Sequence, residues 1–276
     1  MQKTIQELEA KANWVRNRIL EMIVSAGKGH IGGALSCTDI LVALYYGGII
    51  HFDANSPDWS DRDRFIMSKG HSGVALYVVL ADLGFFPISE LDTYGKNGSM
   101  LGGHPDKNIP GVEADTGSLG HGLGIGAGIA LSAKMDNKDH MVIALVGDGE
   151  CYEGSVWEAS MFAGHHQLNN LIVIVDRNEQ CVTDFTEDCN RLNPFGDKWK
   201  AFNWDVKEVN GHAIEELLNV FKGLHSRKSH KPLAIIANTI KGKGVSFMER
   251  KIAWHHSVPS GEDLKIAREE LKVDKD

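Results

Sequence analysis

Asp148 stands between two glycines in Gly147-Asp148-Gly149-Glu150, directly after the apolar run 141–146. A second apolar run, 171–175, passes straight into Asp176-Arg177-Asn178-Glu179-Gln180. Between Gly149 and Asn178 lie 28 residues, room for one loop, one helix and one strand. If both runs are strands of a parallel sheet, Asp148 and Asn178 emerge at neighbouring carboxyl ends, where such sheets bind ligands. A carboxylate and an amide oxygen are hard donors that suit Mg2+, which keeps its other positions for phosphate and water. The flanking glycines let backbone approach a bulky anion. Taken alone, Gly-Asp-Gly after a strand is more often a plain turn. The asparagine at the next strand end makes it a candidate site.

Histidine is abundant, with 13 in 276 residues, so some must be ordinary core or surface residues. His30, His71, His104 and His255 differ because each sits in a loop segment and not on an apolar helical face. Imidazole titrates near working pH, so such a cluster can pass protons to and from a hydroxyl or a carbonyl. The run Gly122-Leu123-Gly124-Ile125-Gly126-Ala127 superficially suggests a dinucleotide fingerprint. It follows a long irregular loop where that fingerprint requires a strand, and close helix packing explains its glycines better.

These residues need a scaffold. Ile5, Leu8, Ala12, Val15, Ile19 and Met22-Ile23 recur at steps of three and four, which predicts an amphipathic helix over 5–25. Thr38-Asp39 opens a second helix that Gly47-Gly48 ends. A short strand is expected at 64–68 and a helix at 72–83. Residues 89–118 are irregular, a length that is usually functional or disordered. A glycine-dense helix is expected at 119–134. The apolar runs 141–146, 171–175 and 233–237 read as strands buried on both faces, with helices at 155–168 and 213–224 between them. This alternation predicts an α/β fold, a mostly parallel β-sheet with helices on both faces. With no internal repeat or linker, 1–276 reads as one domain, and 257–276 as a C-terminal helix and solvated tail.

Composition narrows the function. At 42% hydrophobic and 24% charged residues the chain is globular, not disordered or fibrous. A net charge of −8 with no long basic run argues against nucleic acid as a partner. The apolar stretches are too short to span a bilayer, and the N-terminus lacks the apolar core of a signal peptide. Cys37, Cys151, Cys181 and Cys189 have no CxxC spacing and read as reduced thiols in a cytoplasmic protein, not a disulfide frame or a zinc site.

Gly147-Asp148-Gly149 followed by Asn178 matches the thiamine-diphosphate signature, and the flanking text resembles the N-terminal half of transketolase. The resemblance includes Lys28-Gly29-His30-Ile31-Gly32-Gly33, Ser68-Lys69-Gly70-His71, Gly102-Gly103-His104-Pro105 and Gly111-Val112-Glu113. It continues through Thr116-Gly117-Ser118-Leu119-Gly120, Gly164-His165, Thr239-Ile240-Lys241-Gly242-Lys243-Gly244 and Trp254-His255. These blocks run in the family's order along nearly the whole chain. In full-length transketolases this region is the pyrophosphate-binding domain. A pyrimidine-binding domain with the glutamate that activates the cofactor follows it, then a C-terminal domain. The chain therefore resembles the N-terminal subunit of a split transketolase, inactive alone. Its expected partner is a C-terminal subunit carrying the pyrimidine-binding domain, in an α2β2 assembly.

By resemblance, Asp148, Asn178 and the carbonyl of Gln180 would hold Mg2+ (or Ca2+ or Mn2+), and the backbone of Gly147 and Gly149 would meet the diphosphate. Gly117-Ser118-Leu119 would lie against the aminopyrimidine and thiazolium. Lys69 and Lys241 correspond to cations near the cofactor. His71 and His255 would face both diphosphate and substrate, while His30 and His104 would hold sugar hydroxyls. Glu153, and less strongly Glu158, would join two pyrophosphate domains and their active sites. His121 departs from a common Gln, and His256-Ser257 replaces the usual glycine after Trp254-His255, where a basic residue is also missing. The reaction implied is transfer of a two-carbon ketol unit from a ketose, a sugar phosphate by default, to an aldose. The alternatives are the α subunit of a 2-oxo acid dehydrogenase, a 1-deoxyxylulose-5-phosphate synthase fragment, or a non-catalytic cofactor-binding regulatory subunit. The His30, His104 and His255 set argues against the first, chain length against the second, and intact Asp148 and Asn178 against the third.

Overall fold

The computed structural model describes residues 3–272. The first helix, α1 (Ile5–Ala26), starts at a capping box in which the Thr4 hydroxyl accepts the Glu7 N–H and the Glu7 carboxylate accepts the Thr4 N–H. Two short helices follow, α2 (Ile31–Ser36) and α3 (Thr38–Tyr45), and then β1 (Arg64–Met67), α4 (Gly73–Asp82) and α5 (Gly122–Met135). The centre of the chain runs β2 (Val142–Gly147), α6 (Gly154–His165), β3 (Leu171–Arg177), α7 (Thr186–Cys189) and α8 (Phe195–Ala201). Last come β4 (Asp205–Asn210), α9 (Ile214–Phe221), β5 (Leu233–Asn238) and α10 (Gly261–Glu270).

The five strands form one sheet in the order β1-β2-β3-β5-β4, and every pair is parallel. Successive side chains of a strand point to opposite faces. Ile143, Leu145, Ile172, Ile174 and Ile235 thus enter one core with α1, α3, α4 and α9. Their neighbours Val142, Ala144, Val146, Val173, Val175 and Ile236 enter a second core with α5, α6 and α8. Both faces are dry, which is why these strands are continuously apolar. The register pairs Gly147 with Asp176 and Asp176 with Ala237, so the carboxyl ends of β2, β3 and β5 lie side by side.

Several local expectations are corrected. The helix expected from residue 119 begins at Gly122, because residues 119–121 belong to the loop that enters it. Helices α2, α7 and α8 and strand β4 were not foreseen. β4 is an edge strand with the sequence Asp-Val-Lys-Glu-Val-Asn, and only Val209 in it is buried, so it carries no apolar run. The irregular stretch contains one 3-10 segment at Ile88–Thr93. The expected C-terminal helix is α10, while residues 273–276 of the tail lie outside the described residues. No helix among the described residues is long and apolar enough to cross a membrane.

Two close contacts lock elements around the sheet. At the amino end, buried Asp63 accepts the N–H groups of His51 (2.8 Å) and Met141 (2.7 Å), tying β1 to β2. The rings of His51 and His225 stack beside it with centroids 4.0 Å apart. On the far face, Gly164 of α6 packs against the Phe202 carbonyl so closely that a Cβ would overlap the oxygen. Gly164→Ala is expected to lower stability by ~1–3 kcal/mol through overpacking. Urea unfolding checks this, and an unchanged midpoint would show that the helix moves aside freely.

Candidate active site

At the joined carboxyl ends of β2, β3 and β5 lies a cavity of about 450 Å3, counted to its open mouth. Its walls include Lys69, His71, Leu119, Gly147, Asp148, Gly149, Asn178, Gln180, Lys241 and His255, ten of the residues singled out from sequence. Asp148, Asn178 and Gln180 are all buried. The two carboxylate oxygens of Asp148 accept the Gly149 N–H (2.9 Å) and the Glu179 N–H (2.7 Å). Burial, then the charge of Asp176, pushes the Asp148 carboxyl up to about 7 despite these two donors. Asn178 Oδ1 accepts the Gln180 N–H (3.1 Å). The Gln180 amide donates to the Arg250 carbonyl (2.9 Å), whereas its own Oε1 is buried without a partner among the described residues.

Two lysines reach the same cavity and differ in their partners. Lys69 is fully buried, donates to the Gly33 carbonyl (2.9 Å) and forms an ion pair with Asp176. Burial opposes both charges, but Asp176 raises the Lys69 pKa, and Lys69 with the Ser36 and Thr239 hydroxyls lowers that of Asp176. Lys241 donates to the Cys181 carbonyl (2.8 Å) and pairs with no carboxylate among the described residues. Burial and then repulsion from Lys69 push its ammonium down to about 8.

The histidines converge on His30. Its ring centroid lies 5.4 Å from His71, 6.1 Å from His104, 5.3 Å from His255 and 4.5 Å from His256. Burial, then the charges of His256 and His104, lowers the His30 pKa to about 4. Burial, then Lys241, lowers that of His255 to about 3, and burial with Lys69 holds His71 well below its ordinary value. These three imidazoles are therefore neutral at neutral pH. Gly117 has φ +146°, and a Cβ there would lie 2.9 Å from the His104 ring, so glycine lets that loop close on the cluster.

His30, His104, Gly117, Ser118 and Glu153 are not wall residues of the cavity. His104, Ser118 and Glu153 are exposed, and Glu153 precedes α6 beside Gly120, with Glu158 exposed one turn further on. His121 is exposed, with Nδ1 3.0 Å from the Leu119 carbonyl.

Three supports were missed from sequence. Asp176 binds Lys69, Ser36 and Thr239 at once, joining α2, the β1 end and the β5 end. Buried Glu150 accepts the Gly120 N–H (3.0 Å), the Gly147 N–H (3.0 Å) and the Ser68 hydroxyl (2.5 Å), fixing the loop before α5. His212 Nε2 accepts the Ile240 N–H (2.8 Å), so its Nδ1 donates to Asp39 (2.6 Å), which Arg16 also holds; this chain positions the Lys241 loop. A charged residue ending an otherwise apolar strand was the available signal for Asp176.

A wholly parallel sheet with cations, a buried carboxylate and neutral imidazoles at its carboxyl edge defines an α/β domain for an anionic cofactor. The chain belongs to the transketolase family, since the model of the transketolase thiamine diphosphate binding domain matches residues 8–276. An apulose-4-phosphate transketolase subunit of Phocaeicola vulgatus is 44% identical over 98% of this chain and 95% of its own length. The 6-deoxy-6-sulfo-D-fructose transketolase subunit SqwG of Clostridium sp. (strain MSTE9) is 42% identical over 96% of each chain. Transketolase from Campylobacter jejuni superposes with a TM-score of 0.92 at 32% identity, over 99% of this chain and 44% of that one. The chain thus spans less than half of that transketolase and nearly all of the two single-subunit relatives.

Proposed function

We propose that this chain, acting as one unit, is the cofactor-holding subunit of a split, cytoplasmic transketolase that moves a two-carbon ketol unit from a ketose to an aldose. The observation that carries the reading is the cavity's charge pattern. Among the described residues Asp148 is a buried carboxylate that forms no ion pair, and Lys241 is a buried ammonium that forms none, although both face the same cavity. Mg2+ bound to a diphosphate would answer both.

The donors fit that pair. Asp148, Asn178 Oδ1 and the Gln180 carbonyl are hard oxygens suited to Mg2+. Lys241 and the backbone of Gly147 and Gly149 would face the diphosphate, and Leu119 offers apolar contact to the rings. When bound, thiamine diphosphate supplies the carbanion-stabilising centre that ketol transfer requires. Neutral His30, His71 and His255 offer unprotonated ring nitrogens to a sugar hydroxyl, although burial makes them weaker bases than a free imidazole, with His104 holding a neighbouring hydroxyl.

Relatives of this length that are themselves named as transketolase subunits support a separate partner. We read it as a C-terminal subunit carrying the pyrimidine-binding half, in an α2β2 assembly. The exposed apolar side chains Ile125 of α5 and Met161 and Phe162 of α6 flank Glu158, a face suited to pairing two copies of this subunit. Two relatives named for a sugar phosphate and a sulfo-sugar support a ketose donor with an anionic end.

The test is a ketol-transfer assay on this chain, alone and co-expressed with its candidate partner, with thiamine diphosphate, Mg2+ and phosphorylated and sulfonated ketoses. Activity only with the partner is expected. A cofactor-loaded complex silent on every donor would sink the transferase reading. In the active complex, His30→Ala should leave cofactor affinity within about twofold and lower kcat/KM by roughly 10²–10⁴, the span of general acid–base catalysis. Unchanged kinetics would remove His30 from the site.

A further inference from the structure

After β3 the chain folds back in a tight loop, with an antiparallel bridge between Gln180 and Phe185. The Cys181 N–H donates to the Asp184 carbonyl (3.0 Å), and the Cys189 N–H to the Phe185 carbonyl (3.1 Å). This folding brings Cys181 Sγ to 3.3 Å from Cys189 Sγ, with the Thr183 hydroxyl 3.4 and 3.6 Å from the two sulfurs. Cys189 is exposed and Cys181 half-buried, whereas Cys37 and Cys151 are closed inside the two cores. A disulfide needs about 2.05 Å between the sulfurs, so they must close by little more than an ångström.

Cys181 is also cavity wall. Its carbonyl holds Lys241, and it directly follows Gln180. A Cβ on Gly149 would lie only 3.2 Å from the Cys181 Cβ, so the two segments are in close contact. A bond to Cys189 would tether this wall to α7.

We propose that Cys181 and Cys189 form a reversible disulfide under hydrogen peroxide, and that closing it weakens cofactor retention. One thiol attacks the peroxide first: an S–O bond forms, the O–O bond breaks, and a sulfenic acid and one water result. The other thiol then attacks that sulfur; the S–S bond forms, the S–O bond breaks, and the oxygen leaves as a second water with the second thiol's proton. Two thiols are oxidised by two electrons as one peroxide is reduced to two waters. The effect on retention rests on the cofactor reading above, whereas disulfide formation does not.

The test treats the full chain, with its partner, with hydrogen peroxide before denaturing alkylation. Both cysteines fall in one tryptic peptide, 178–191, between Arg177 and Arg191. That peptide should lose two hydrogens and resist alkylation, while Cys37 and Cys151 remain alkylatable. Thiamine diphosphate with Mg2+, measured by equilibrium dialysis, should bind about tenfold more weakly, within the usual range of coupling between two sites. Dithiothreitol should restore binding. Cys189→Ser should abolish the peptide change and the loss of affinity while binding as the reduced protein does. Full alkylation after peroxide would overturn the proposal, and so would a cross-linked protein that binds normally. If the reduced complex fails to bind thiamine diphosphate yet the peptide still closes, the cofactor reading falls and takes the switch with it, leaving only the disulfide.

Discussion

Asp148→Ala is expected to abolish Mg2+-dependent retention of thiamine diphosphate, with affinity falling by about 10²-fold or more. The folded chain should remain. Asp148 is almost wholly buried and holds only two backbone N–H groups, at the turn after β2. Burial and the nearby charge of Asp176 both act against its ionised form, so its carboxylate is a poor stabiliser of the cofactor-free fold. What it suits is a cation brought in with the ligand. Removing it should therefore cost binding far more than stability. Calorimetric titration of the assembled complex with thiamine diphosphate and Mg2+ would measure the first, and thermal unfolding without ligand the second. Chelation of divalent ions from the unmodified complex should reproduce the binding defect. Normal titration of the variant would remove Asp148 from the metal site.

Asp148 and Asn178 were legible because their strands are dry on both faces. A continuous apolar run such as 171–175 marks a central parallel strand, and the first polar residues after it must lie at the sheet's edge. The edge strand β4 was not legible, since its polar residues look like loop until a neighbour supplies the hydrogen bonds. The cavity's supports were hidden for another reason. Glu150 and Asp176 sit in the same short segments as the expected ligands, and sequence does not say which way a side chain turns after a strand. In the fold both turn inward, one to backbone N–H groups and the other to Lys69. The Arg16-Asp39-His212 chain is less legible still, because it joins residues far apart in the sequence. Glu153 stands at the surface beside the cavity, as a residue read as joining two copies of the domain would in a single chain.

Asp176→Ala should give the largest loss of stability of any single change at the site. Its carboxylate has no exposure and is held by Lys69, Ser36 and Thr239 together. Removing it strands a fully buried ammonium and two hydroxyls. Breaking a buried pair in this way costs about 3–5 kcal/mol. At about 2.1 cal/mol/K per residue, that lowers the Tm of a chain this long by roughly 5–9 °C. The size of the effect does not make the pair a strong net stabiliser, because both ions have been taken out of water to form it. The double change Lys69→Met with Asp176→Leu separates the two ideas, since apolar residues of similar volume can replace a buried pair at little cost. Recovery of most of the lost Tm in the double variant would show that the penalty is the unpaired charge. In that case the pair is kept to place Lys69 and the β3 end at the cavity, and the stable double variant should still fail to retain cofactor. A double variant as unstable as Asp176→Ala would mean instead that the hydroxyl contacts of Ser36 and Thr239 carry the stability, with Lys69 incidental to it.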